Sequence, residues 1–109
     1  MSTLLQQRDE ARHRQRLALC ESTRRLLREH LAALIPGQRV VVFGSLLQPG
    51  RFNAASDIDL ALEREPEGIS VGQLMSKLSE RLGRPVDVVL PDHCRFRDRI
   101  LKEGDVWIS

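Results

Sequence analysis

Aromatic residues are scarce in this chain: one Trp and three Phe are the whole set among 109 residues. A dedicated nucleic-acid binder generally shows a platform of stacking rings, so direct nucleic-acid binding is not the expected role. Cysteine is equally sparse, with only Cys20 and Cys94. They form neither a CxxC pair nor a dense set, which argues against a disulfide framework and for reduced thiols. Cys94 lies beside His93, yet zinc needs a cluster that His13, His30 and the distant Cys20 do not supply in sequence. No apolar run approaches the length of a membrane span, and the N-terminal stretch is rich in Arg and Gln rather than charged-then-apolar. No membrane association is expected, and the expected compartment is the cytoplasm. Internal repeats, low-complexity tracts and linkers are also missing, so residues 1–109 read as a single small domain with a modest core.

Charge is present but segregated. Up to Gln38 there are seven Arg against four acids, while the remainder carries ten basic and eleven acidic residues. Arg8, Arg12, Arg14 and Arg16 could meet nucleic acid or an acidic partner, although a mixed-charge helix face is more often simply solvated. Leu17, Cys20, Leu27, Leu31 and Leu34 follow a three-four spacing that predicts a long amphipathic helix within residues 1–35, ending before Pro36-Gly37 and covering a sheet. A second helix is predicted after Ser70. There Ile69 and Leu74 form a hydrophobic staple around a Ser70-x-x-Gln73 capping box, Val71, Leu74, Met75, Leu78 and Leu82 make the buried stripe, and Gly83 stops it. A third is predicted from about Asp92 to Glu103, with Phe96, Ile100 and Leu101 inward and Gly104 at its end. The tail Val106-Trp107-Ile108-Ser109 is left as either a short strand or a plug.

The chemistry concentrates between Val40 and Leu62. A hydrophobic strand ends in Gly44-Ser45, and a second strand follows with Asp57 and Asp59. Side chains two apart on a strand share a face, so both acids project together while Ile58, Leu60 and Leu62 project into apolar surroundings. At roughly 4 Å two such charges repel by about 4 kcal/mol even with an effective dielectric near 20. A divalent cation removes that conflict, and hard carboxylate oxygens suit Mg²⁺ or Mn²⁺. A helix opening just after Ser45 would offer free N–H groups and a positive dipole end to a phosphate. Gly44 allows close approach, and the Ser45 hydroxyl could cap that helix or donate to a phosphate oxygen. A third acid, Asp87, interrupts the run RPVDVVL. Val86, Val88 and Leu90 take one face, so Asp87 takes the other and can converge with Asp57 and Asp59.

Gly44-Ser45, Asp57-x-Asp59 and Asp87 together resemble the motif set of the DNA polymerase β superfamily of nucleotidyltransferases. The short length narrows the resemblance to minimal nucleotidyltransferases that act as antitoxins in modules with HEPN-domain toxins, and the likeness runs from about Leu17 to Trp107. It implies an α/β fold with a small mixed sheet flanked by helices, in which residues 39–108 form the catalytic core behind a long N-terminal helix. It also implies two Mg²⁺ ions, or Mn²⁺, held by Asp57 and Asp59, with Asp87 completing the site as base, ligand or both. The implied reaction moves AMP from the co-substrate ATP to a tyrosine hydroxyl of a HEPN RNase toxin in a hetero-oligomer. Two other readings stand beside it: an antitoxin that neutralises its toxin by binding alone, and transfer of a nucleotide to a small-molecule hydroxyl. Two departures concern the phosphates. The gap from Ser45 to Asp57 is one residue longer than the commonest spacing, and Gln48 stands where many relatives carry Arg, leaving Arg51 as the nearest basic substitute.

Overall fold

The computed structural model describes residues 3–90 and 97–109, the side chains of Arg97 and Leu101 excepted. The first helix, α1 (Leu4–Leu34), opens on a reciprocal cap: the Thr3 hydroxyl accepts from the Gln6 N–H and the Gln6 side chain accepts from the Thr3 N–H. Only the second half of α1 is packed. Cys20, Leu27 and Leu31 are buried, whereas residues 4–18 are exposed apart from a half-buried Ala11. The buried stripe thus begins at Cys20, and Leu17, predicted to join it, is 39% exposed. The reason is length. A helix of 31 residues at 1.5 Å per residue spans about 46 Å, so it outruns the small sheet beneath it.

That sheet is four-stranded and mixed, with spatial order β3-β2-β1-β4 for β1 (Arg39–Phe43), β2 (Ile58–Leu62), β3 (Val86–Val89) and β4 (Asp105–Ile108). The strand β1 pairs antiparallel with both β2 and β4, while β2 and β3 run parallel. The tail is therefore a strand rather than a plug, with Trp107 buried and its indole N–H donating to the Asp105 carboxylate. The parallel pair needs a crossover, supplied by α2 (Val71–Leu82). Its Ser70/Gln73 capping box and its stop at Gly83 are as the sequence predicts.

Period-two alternation sorts the strands into two faces. Val40, Val42, Ile58, Leu60, Leu62, Val86 and Val88 form the main core with Leu27 and Leu31 of α1 and Leu74 and Leu78 of α2. Val41 and Ala61 point the other way and are covered by Ile100 of the short helix α3 (Arg97–Glu103). A Cβ at Gly104 would strike the Val41 side chain and the Ile100 carbonyl, so the absent side chain lets the end of α3 close on β1. The predicted start of this helix at Asp92, together with His93, Cys94, Phe96 and the side chain of Leu101, lies outside the described residues. No described helix is long and apolar enough to cross a membrane.

Candidate active site

The site forms on the face of the sheet that α3 leaves partly open. Phe43 of β1 is the register partner of Asp59 on β2, and Asp59 is the partner of Asp87 on β3. All three residues therefore share one face, and the two acids stand on neighbouring strands, roughly 4.7–4.9 Å apart at the backbone. Immediately after Phe43 the chain turns at Gly44 with φ +75, a left-handed conformation suited to glycine. A Cβ at that position would collide with the Asp59 carboxylate. Gly44 thus opens the space that the Asp59 side chain occupies.

The helix expected after Ser45 is a single 3-10 turn, Gly44–Leu47, capped by the backbone of Phe43 with no side-chain cap. Ser45 is therefore not a helix cap, and the short helix expected there is a four-residue turn that carries little dipole. The turn is held from below. Leu46 is buried, and its carbonyl accepts from the guanidinium of Arg24 at 3.1 Å and from the Cys20 thiol at 3.5 Å. Arg24 also reaches Asp105 at 2.8 Å, tying α1, the turn and β4 together. Burial pushes the Cys20 thiol up, which keeps it in the unreactive form.

Asp57 lies one residue before β2 and is exposed, yet its backbone is fixed on three sides. The Ser45 hydroxyl donates to the Asp57 carbonyl at 2.6 Å. The neighbouring Ile58 N–H donates to Pro85 at 3.0 Å, stitching this point to the start of β3. Arg84 donates one guanidinium nitrogen to the carbonyls of Asn53 and Ser56, at 3.0 and 2.9 Å, while its plane lies 4.5 Å from the centre of the buried Phe52 ring. The longer loop between Ser45 and Asp57 is thus clamped just upstream of the acid. Sequence reasoning missed Arg84, whose partners lie about thirty residues away along the chain.

Electrostatics single out Asp59. Burial first, then the charges of Asp87 and Asp57, raise its carboxyl above the ordinary Asp range. Asp57 also acts on Arg84, whose pKa burial lowers while Asp57 offsets part of the effect. Above Asp59 and Asp87 opens a cleft of about 430 Å³ lined by Gly44, Gln48, Arg99 and Glu103 among others. Arg51 is exposed in the neighbouring turn, where its N–H donates to the Gln48 carbonyl, and it is not part of that lining. Arg99, which carried no sequence signal, is.

The residues present fit a hard divalent cation. Burial first, and then the charges of Asp87 and Asp57, hold the Asp59 carboxyl above its ordinary range, and a cation relieves the repulsive part of that conflict. Among the described residues no three His, Cys, Asp or Glu side chains close on one point, so Asp57, Asp59 and Asp87 share a region without forming a complete cage. That suits Mg²⁺, which binds through one or two carboxylates and takes its remaining ligands from phosphates and water.

Comparison with known proteins agrees with this geometry. The polymerase beta, nucleotidyltransferase family profile matches residues 36–109. Among solved structures, a chain from one described as "Crystal structure of the toxin-antitoxin with AMP-PNP" is similar, with 26% identity, a TM-score of 0.58, and coverage of 78% of this chain and 73% of that one. No curated protein sequence gives a match.

Proposed function

The chain belongs to the polymerase beta nucleotidyltransferase family, and from that premise we propose that it is a metal-dependent antitoxin that transfers AMP from ATP to a tyrosine hydroxyl of a HEPN-type RNase toxin. The observation that carries the reading is the register of Asp59 and Asp87 on neighbouring strands under an open cleft, with Asp57 pinned beside them. A structural role for this arrangement is hard to find, since burial and repulsion both work against an ionised Asp59. Support for the biological setting comes from the similar chain of a toxin-antitoxin structure that contains AMP-PNP, a nucleotide with the triphosphate outline of ATP.

In this reading Asp57, Asp59 and Asp87 would hold Mg²⁺, which when bound neutralises phosphate charge and makes the acceptor hydroxyl more acidic. Gly44 keeps the backbone clear of Asp59, and Ser45 and Arg84 hold the backbone on which Asp57 sits. Asp87 is the more exposed of the register pair and lines the open cleft. It accepts the proton as the acceptor oxygen bonds to the α-phosphorus, and the bond from that phosphorus to the bridging oxygen breaks to release pyrophosphate.

The test is to determine whether the adjacent reading frame encodes a small helical protein, to coexpress the chain with that product, and to measure the product's intact mass. A gain of one AMP that requires ATP and Mg²⁺ supports the proposal. An unmodified partner whose toxicity is nonetheless suppressed identifies neutralisation by binding alone.

A further inference from the structure

We propose that Arg99 is the residue that grips the triphosphate of the nucleotide, taking the place of a basic residue after the Gly-Ser pair. The inference rests on the nucleotidyltransferase reading above and adds to it the protein contact that holds the β- and γ-phosphates.

The charge of the cleft wall carries the argument. Its lining includes the acids Asp59, Asp87 and Glu103, and among the described residues Arg99 is its one cation. A triphosphate entering that cleft brings further negative charge and needs a fixed positive partner on the protein side. Gln48 lines the cleft but is neutral, and Arg51 stands outside the lining.

Arg99 combines a fixed base with a movable head. Its neighbour Ile100 is buried against Val41 and Ala61, which anchors α3 on the sheet. The Arg99 side chain is itself 72% exposed, and its Nε lies 3.2 Å from the Glu103 carboxylate one turn further along. An exposed pair at this spacing contributes little and is readily exchanged. A guanidinium offers phosphate two parallel charge-assisted hydrogen bonds, which a single carboxylate contact through Nε does not use. Nucleotide binding therefore draws Arg99 from Glu103 to the triphosphate, and Glu103 holds the side chain at the cleft mouth until then.

The experiment compares two ligands, AMP-PNP and AMP, by isothermal titration calorimetry with Mg²⁺ on the full chain and on Arg99→Ala, Arg99→Lys and Glu103→Gln. Arg99→Ala is expected to weaken AMP-PNP binding by roughly 10–100-fold, the loss of a charged hydrogen-bonded contact, and to leave AMP binding unchanged. Arg99→Lys should fall between, and Glu103→Gln should bind AMP-PNP at least as tightly as the parent. If Arg99→Ala binds both ligands like the parent, or loses both equally, Arg99 does not grip the triphosphate. If the parent itself binds no AMP-PNP, the nucleotidyltransferase reading falls and this inference with it. Circular dichroism melts check the fold, and Arg99→Gln, which keeps much of the apolar stem, replaces Arg99→Ala should the latter fail to fold.

Discussion

Asp59 of β2 and Asp87 of β3 are register partners in a parallel pair, so two carboxylates separated by a whole crossover in the chain stand side by side on one face of the sheet. Parallel register makes this placement robust. A slip of one residue on either strand would send its acid into the main core and bring a valine, leucine or isoleucine to the cleft. The hydrophobic alternation that builds the core thereby also aims the acids.

The first prediction concerns Asp59→Asn. Burial, then Asp87 and Asp57, raise the carboxyl of Asp59 in the folded protein. Folding then takes up a proton between the unfolded and folded pKa values, so stability falls as pH rises through that interval. The penalty is absent below the ordinary Asp range and complete above the raised value. Asp59→Asn should therefore melt higher than the parent at pH 7, by a few degrees, and the difference should vanish below about pH 3.9. Transfer should drop by about a hundredfold or more, since even loss of an outer-shell partner of a metal costs 10–100-fold. A lower melting temperature for the variant at pH 7 would contradict this account of Asp59.

Ser45→Ala tests whether the serine serves the metal site or the phosphates. Its hydroxyl donates to the Asp57 carbonyl at 2.6 Å, so the variant frees the backbone carrying that acid. The Mg²⁺ concentration for half-maximal transfer should rise several-fold, with a smaller change in KM for ATP. The opposite pattern would assign the hydroxyl to the triphosphate.

For Asp87→Asn, partner binding and much of nucleotide binding should survive while transfer falls by at least about a hundredfold, the lower range for loss of a general base. Mass measurement of the partner reads the transfer, and co-purification reads the binding. Full protection of cells by this variant, with the partner unmodified, would make catalysis dispensable.

Arg84→Ala removes the clamp on the Asn53–Ser56 loop. The loss of charge-assisted bonds to two carbonyls should cost about 1.5–3 kcal/mol in denaturant unfolding. Transfer should fall even at saturating ATP, because Asp57 is no longer held. Arg84→Lys should recover little of either, since one ammonium cannot reproduce a planar guanidinium that bonds to loop carbonyls while lying over the Phe52 ring. Equal stability of Arg84→Lys and the parent would show that charge alone suffices.

Local signals were readable in the sequence, and long-range ones were not. The α2 helix carries its own start and stop in Ser70, Gln73 and Gly83, all within one continuous segment. The parity of Asp87 against Val86 and Val88 likewise needs only neighbours, and the strand keeps it. Leu17 fits the periodicity of α1 but lies exposed, because periodicity says which face is apolar and not how far the sheet extends below it. The four-residue tail was too short for alternation to distinguish strand from plug, and β1 settles it by pairing with it. The hydroxyl of Ser45 found Asp57, and Arg84 found Asn53 and Ser56, only through tertiary closure of the loop between them.

The missing side chain at position 44 ties that position to position 59 in what each will tolerate. Gly44→Ala meets two separate obstacles: the left-handed backbone and the Asp59 carboxylate. Replacing Asp59 by alanine removes the second and leaves the first, which costs about 1–2 kcal/mol for a residue with a Cβ. The pair should therefore show strong positive epistasis on folding, with the double variant G44A/D59A more stable than the sum of the single changes allows. On activity there is no such rescue. Chains that keep the acid meet both obstacles at position 44, whereas chains that have lost it meet only the cost of the left-handed backbone there.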